Sequence, residues 1–393
     1  MKAINFLLVL FAIQFSFGQN INFSKGKTTK QQYYSEISFE SIKGKIIIPV
    51  IIEGETYRFL LDTGAPNLIT SNLKNIIVHK EGNSLNVKDA NSNRNSMEVV
   101  NIPSLTLGNI KFNNQTALVF PSDNNLIFDC FQVDGFIGSN LLRNSVIKFQ
   151  LKEKKVIITN DIKKINPNKQ YKSELKITGA QSSPYIDIKI KGNKNATENL
   201  LFDTGMDGFY DLSINHYKFF EEQNALTSHS KGSGSIGMSL FGNAKANEQY
   251  RLKIPEIHFK NTVFKNVVTE TSDDNNSKIG IKLLEHGNVT IDFKHKDFYF
   301  EPFENEIDLD EKLLGFSPTI IDNKVVVGMV WDETLEDKLQ FGDEILSVND
   351  IDLSQMEICD LLTNKSPFED IDSFEVKIKN SEGEIKTLNI NKQ

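Results

Sequence analysis

The sequence predicts a mainly β protein made of two duplicated lobes in one chain, followed by a small α/β domain. Three observations predict it. Asp-Thr-Gly occurs twice, as Leu60-Leu61-Asp62-Thr63-Gly64-Ala65 and, 141 positions later, as Leu201-Phe202-Asp203-Thr204-Gly205-Met206. Further segments recur around both sites in the same order. Both halves consist of β-branched or alternating apolar runs that end at turn residues.

The chain has 393 residues, enough for two or three domains. Its net charge of −8 argues against a nucleic-acid partner, which would call for a basic face. At the N-terminus, Lys2 precedes the apolar run Phe6–Ile13, and Ser16 and Gly18 sit where a signal peptidase would cut. Residues 1–18 are therefore expected to be a signal peptide, and the mature protein to be exported, periplasmic or secreted. No integral membrane span is expected after its removal. The only cysteines, Cys130 and Cys359, fall in different domains and are expected as two buried apolar-like thiols, not as a disulfide framework.

Lobe 1 is expected over 19–160. Lys45–Ile52 is a β-branched run ending at Glu53-Gly54, followed by the apolar run into Asp62. Next come Ile102–Leu107 with Phe112, then Ile137-Gly138 before a short helical turn over 140–144, and finally Phe149–Lys152 and Val156–Ile158. Residues 161–183 are polar, with Pro167, Gly179 and Ser182-Ser183, and read as a linker. Lobe 2, over 184–303, repeats the series: Pro184–Ile190, the run into Asp203, Ile254–Phe259 with Phe264, Ile279-Gly280 before a turn over 282–286, Ile291–Lys294 and Phe298–Phe300. The offsets of 141, 152 and 142 keep the order and vary only the loops, as gene duplication would.

Asp-Thr-Gly suits one chemistry. Gly permits a tight, close-packed turn that exposes the preceding carboxylate. Thr supplies a short hydroxyl that can lock two such turns together, and the apolar residues before Asp anchor it on a rigid strand. Two carboxylates within hydrogen-bond reach share one proton. One then acts as general base on a water and the other as general acid towards a carbonyl oxygen and leaving nitrogen. No nucleophilic side chain, metal or cofactor is needed.

The pattern apolar-apolar-Asp-Thr-Gly-Ala, followed downstream by apolar-apolar-Gly before a short helix, resembles the retropepsin and pepsin family of aspartic peptidases. It is carried by Leu60–Ala65 with Phe136-Ile137-Gly138 and by Leu201–Gly205 with Ile279-Gly280. The resemblance covers about residues 40–302. It implies a bilobal pepsin/retropepsin-like β fold, Asp62 and Asp203 as the catalytic pair, and an aspartic-type endopeptidase acting on a peptide or protein substrate. It also implies that Thr63 and Thr204 interlock the turns, with Gly64, Gly205, Gly138 and Gly280 as supporting positions. Since both lobes are present in one chain, the protein is expected to act as a monomer. Met206 departs from the family's Ala, Ser or Thr at that position, and Asp207 adds a negative charge nearby. A peptide-binding protein of peptidase fold without turnover is therefore the alternative.

Gly232-Ser233-Gly234-Ser235-Ile236-Gly237 formally matches a dinucleotide-binding loop. It lacks the strand before and the helix after that such a loop needs. It is expected instead as a hairpin flap over the cleft, with residues 86–96 as its lobe 1 counterpart. None of the six histidines has metal-ligand spacing. No G-x-S-x-G elbow gives a serine hydrolase a foothold.

Beyond Pro302 an acidic stretch leads into a separate unit, 310–393. Its elements are expected to be a strand Lys324–Val330, a short helix Leu335–Leu339 and the run Phe341–Asp350. Gly342-Asp343-Glu344-Ile345-Leu346-Ser347-Val348-Asn349 resembles the signature of PDZ domains, and Leu314-Gly315-Phe316 resembles their carboxylate-binding loop. The resemblance implies a small PDZ-like α/β domain that binds peptide or protein C-termini through those three residues.

Overall fold

Each lobe is founded on the hairpin its β-branched residues favour. The computed structural model describes residues 22–121 and 125–393. The expected signal peptide lies outside the described residues. Lys45–Ile52 and Glu55–Asp62 pair antiparallel. The turn residues Glu53 and Gly54 both have positive φ, 56° and 93°, which is the backbone of a type I′ hairpin. Ser183–Lys191 and Asn195–Phe202 form the matching hairpin in the second lobe. In each lobe the Ile-Gly segment then lies parallel beside the strand carrying the aspartate. Gly135–Gly138 runs along Phe59–Asp62, and Lys278–Ile279 along Leu201–Phe202.

The later segments of the repeat meet between the lobes. Val146–Gln150 pairs antiparallel with Gly287–Asp292. Lys155–Thr159 and Asp297–Pro302 flank that pair, and Tyr34–Ser38 and Lys172–Thr178 flank those in turn. The six strands are symmetric about the central two, so the pseudo-twofold axis passes between them. Phe149, Phe202 and Phe298 are fully buried above this sheet, with successive ring centroids 6.1 and 5.5 Å apart. The 161–183 linker expectation needs correction. Lys172–Thr178 is a strand paired on both sides, to Asp297–Tyr299 and to Ser183–Ile186. Its alternation is carried by Leu175 and Ile177 alone among Lys, Ser, Glu and Thr, too few apolar residues to mark a strand.

Residues 316–391 form a separate sheet with its own core of Phe316, Val327, Ile345, Val348, Phe374, Val376 and Ile378. The strand Lys324–Val330 lies where the pattern puts it. The helix expected over 335–339 is only a single 3₁₀ turn, Glu333–Leu335, opened by Asp332 as its cap. A six-residue helix, Ile358–Thr363, lies further on.

The cysteines correct a second expectation: Cys130 and Cys359 are joined in a disulfide, Cα–Cα 4.7 Å, closing a loop across 229 positions. Separation in sequence hid what the fold brings together, because helix Leu126–Phe131 of lobe 1 packs on helix Ile358–Thr363. Arg251 of lobe 2 makes a second tie. Its guanidinium donates to the Leu314 carbonyl (2.7 Å) and to Ser317 Oγ (3.2 Å), pairs with Glu270 (2.6 Å), and lies 4.6 Å from the Trp331 ring.

In a chain-entropy account, a disulfide closing so long a loop stabilises by about 5.5 kcal/mol. Cys359→Ser is expected to lower the thermal midpoint. Limited proteolysis is also expected to cut the exposed connector around Asp310–Lys312 faster than in the oxidised wild type, as followed by gel and intact mass.

Candidate active site

The two Asp-Thr-Gly turns face each other across the pseudo-twofold axis and are locked by four crossed hydrogen bonds. The backbone N–H of Thr63 donates to Thr204 Oγ1 (3.0 Å), and that of Thr204 donates to Thr63 Oγ1 (3.0 Å). The Thr63 hydroxyl donates to the Phe202 carbonyl (2.6 Å), and the Thr204 hydroxyl to the Leu61 carbonyl (2.7 Å). Both threonines are completely buried, so each of these groups has only the other lobe as its partner. Gly64 and Gly205 are required by proximity: a Cβ on Gly64 would strike the Asp203 carboxyl, and one on Gly205 the Asp62 carboxyl. Each carboxylate therefore lies over the opposite turn. Gly138 and Gly280 serve the same need one layer back, where a Cβ would strike the Ala65 and Gly208 carbonyls respectively. The structure thus brings all eight candidate residues of the two lobes into one site.

The two halves are not equivalent. Asp62 Oδ1 accepts the N–H groups of Gly64 (2.8 Å) and Ala65 (3.1 Å). Asp203 Oδ1 accepts only that of Gly205 (2.9 Å), because the Met206 N–H turns back to the Asp203 carbonyl (3.2 Å). The first turn is braced by neutral groups. Ser139 Oγ donates to the Thr63 carbonyl (2.7 Å), Asn67 Oδ1 accepts the Gly138 N–H (2.9 Å), and Asn140 Oδ1 accepts the Asn67 N–H (2.7 Å). The second turn has lysines. Lys278 is buried and reaches Asp203 Oδ2 (3.3 Å) and Asp274 Oδ2 (2.9 Å). Lys45, on the first lobe, crosses to the Gly205 carbonyl and Asp207. In the opposite direction Gln181 donates to the Gly64 carbonyl (3.1 Å). Asp207 is therefore neutralised by Lys45, where the sequence suggested an added negative charge beside Asp203.

Burial, and then the Asp203 charge, push the Asp62 carboxyl up to about 7, against the pull of Lys45, the Gly64 N–H and Lys278. Burial alone would push the Lys278 ammonium down, but Asp203, Asp274 and Asp211 outweigh it and hold it above its ordinary value. Asp211 is pushed up to about 6 by burial.

The glycine-rich segment belongs to the hairpin Ser230–Gly234 with Asn247–Phe259, as expected, and its counterpart is the hairpin Lys80–Lys88 with Arg94–Leu107. Their tips meet. Asn91 Nδ2 donates to the Gly242 carbonyl (2.9 Å), Asn93 Nδ2 to the Asn243 carbonyl (3.1 Å), and the Phe241 N–H to Asp89 Oδ2 (2.9 Å). On its other side the lobe 2 hairpin packs against the C-terminal unit. The Ser235 N–H donates to the Gly328 carbonyl (2.9 Å), and a Cβ at Gly232 or Gly234 would strike the carbonyls of Val330 or Gly328. Leu314, Gly315 and Phe316 are far from the aspartates in sequence and serve a different surface. The Leu314 carbonyl accepts from Arg251, the Gly315 carbonyl accepts the N–H groups of Trp331 (2.8 Å) and Asp332 (3.0 Å), and Phe316 pairs with Val330. Among the described residues no group of His, Cys, Asp and Glu is arranged to hold a metal. His216, His258 and His295 each bond a single carboxylate, those of Glu198, Glu256 and Asp292.

The lysines are the residues the motif does not announce. Lys278 did carry a signal: it stands where the first lobe has Phe136, one residue before the shared Ile-Gly. Lys45 carried none.

Residues 48–141 match the sequence model of the aspartyl protease family. No curated protein matches the chain in sequence. Among solved structures, the chain is similar to an aspartic proteinase from Irpex lacteus, at 12% identity, with 70% of this chain and 98% of that one covered and a TM-score of 0.44. It is also similar to conglutin gamma, a basic 7S globulin from lupine seeds, at 12% identity, 69% and 95% coverage, and a TM-score of 0.42.

Two outcomes are expected. Thr63→Val strands the Thr204 N–H and the Phe202 carbonyl in the interior, each at about 1–3 kcal/mol, and should lower unfolding free energy in urea by about 3 kcal/mol. Asp62 holds its proton more tightly folded than unfolded, so the folded chain binds more protons from about pH 4 up to about pH 7. Stability from this group is greatest at acid pH and falls as pH rises through that window. Thermal melts should therefore show Asp62→Asn gaining on the wild type at pH 8 but not at pH 4.

Proposed function

We propose that the protein is an exported aspartic-type endopeptidase that hydrolyses peptide bonds with a water activated by Asp62 and Asp203. The observation that carries this is the pair of opposed Asp-Thr-Gly turns, each carboxylate lying over the other lobe's glycine. In this reading one carboxylate takes a proton from water as the oxygen attacks the peptide carbon. The other delivers its proton to the carbonyl oxygen, giving a neutral tetrahedral diol. Proton return to the nitrogen then lets the C–N bond break and releases acid and amine. The rigid turns supply orientation, and the two meeting hairpins exclude water. The disulfide supports export, since such bonds persist in oxidising compartments.

For the C-terminal unit we propose a PDZ-like role in binding peptide or protein C-termini at Leu314, Gly315 and Phe316. The strand Phe316–Ile321 lies at the end of its sheet, as addition of a peptide strand would require. A second reading, peptide binding without turnover, is favoured by one observation: Asp203 lacks the second turn N–H that Asp62 has and pairs with a lysine instead.

The deciding experiment is hydrolysis of an unfolded protein from pH 3 to 9 by wild type, Asp62→Asn and Asp203→Asn. Loss of about 10³-fold in both variants is expected. Wild-type activity is expected to fall above about pH 7, where Asp62 gives up its proton. Equal rates in wild type and variants would overturn the enzyme reading in favour of binding.

A further inference from the structure

The repeat is close to symmetric in backbone but not in charge. In the first lobe the strand beside the aspartate reads Phe136-Ile137-Gly138, with Phe136 buried in an aromatic cluster 5.2 Å from Phe128. In the second lobe the same register place is Lys278: Phe136 lies opposite Leu60, and Lys278 opposite Leu201. Desolvating a buried lysine in place of an apolar side chain is costly, and only close charged partners offset it. Its partners are Asp203 at 3.3 Å and Asp274 at 2.9 Å, with Asp211 on the neighbouring strand also acting on it. Tyr185 borders the same cluster as a neutral phenol, held protonated by burial. Asp62 faces Asp203 and forms no ion pair with a lysine: Lys45, which pairs with the Gly205 carbonyl and Asp207, and Lys278 pull on its carboxyl only from a distance.

We propose that Lys278 divides the labour of the pair: it fixes Asp203 as the ionised member that takes the proton from water, and leaves Asp62 to carry the proton delivered to the carbonyl oxygen. This rests on the peptidase reading above. Lys278 is a positioning residue, acting through Asp203. It breaks the degeneracy that two equivalent carboxylates would have, so the proton starts on one known side of the scissile bond. Asp274 shares the ammonium and tempers its hold on Asp203.

Two variants of opposite charge effect test this. Lys278→Met removes the cation and should move both limbs of the kcat/KM–pH profile upward by about one unit, with activity lost selectively at acid pH. Lys278→Arg should restore the profile. Asp274→Asn leaves the whole ammonium to Asp203 and should move both limbs downward. Lys45→Met, which does not touch Asp203, should move the alkaline limb alone. A merely structural lysine would lower kcat at all pH values in both Lys278→Met and Asp274→Asn, without moving the limbs, and that result overturns the proposal. Carbon-13 NMR of labelled aspartate carboxyls gives a readout independent of turnover. The Asp62 step, near pH 7 in the wild type, should rise in Lys278→Met and fall in Asp274→Asn. An Asp62 step that stays put in Asp274→Asn overturns the proposal even if Lys278→Met fails to fold. Absence of Asp62-dependent hydrolysis in the wild type would sink the peptidase reading alone, because the NMR titration still decides what Lys278 does.

Discussion

Everything in the two lobes depends on the crossed threonine hydrogen bonds at the pseudo-twofold axis. Each hydroxyl accepts from the opposite turn and donates to the opposite strand, so four buried backbone groups are satisfied at one separation of the lobes and at no other. Leaving them unmade would strand polar groups in a dry interior, which costs more than making them gains. The same separation dictates glycine at Gly64 and Gly205, where the opposing carboxyl leaves no room for a side chain. It also places the central strands Val146–Gln150 and Gly287–Asp292 in register. The carboxylate pair is thus a by-product of a stability constraint: the lobes cannot associate well without bringing the aspartates together.

Once associated, the halves are free to differ in what braces each turn. The first uses neutral amides and a hydroxyl, through Asn67, Asn140 and Ser139. The second uses charge, through Lys278 and Asp274. A neutral network holds geometry without altering protonation. A buried ammonium does both, since in a poorly solvated site its field on a carboxylate at 3.3 Å is only weakly screened. Asymmetry of chemistry on a symmetric scaffold sets the two carboxylates apart, because the ammonium pairs with Asp203 and not with Asp62.

Much of this was legible in the sequence, and the limits have physical causes. The hairpins were written in Lys45–Ile52 and Pro184–Ile190 by β-branching and alternation, and the site by two short motifs in a shared frame. The strand Lys172–Thr178 was hidden because it is stabilised by pairing on both edges more than by its own side chains. The disulfide was hidden because it depends on two helices of different domains meeting, which no local pattern encodes. Lys278 was visible as a misfit in the repeat, yet its role follows only from the distance to Asp203.

The glycine-rich run shows how one sequence signal can mean different things according to what approaches it. Gly232 and Gly234 do not curl around a phosphate. They let a hairpin lie against the backbone of Gly328 and Val330 more closely than any side chain would allow. That side of the hairpin is held backbone to backbone, with the Ser235–Gly328 hydrogen bond, and is backed by Arg251 and its stack on Trp331. The opposite side meets lobe 1 through hydrogen bonds from Asn91 and Asn93, through the Asp89 carboxylate, and through Leu240 and Phe241, which pack on the lobe 1 apolar cluster with the Phe241 ring 6.2 Å from that of Phe120. The C-terminal unit is thereby tied to both lobes, to lobe 2 by this close packing and to lobe 1 by the Cys130–Cys359 disulfide, so the hairpin that rests on it is anchored relative to both.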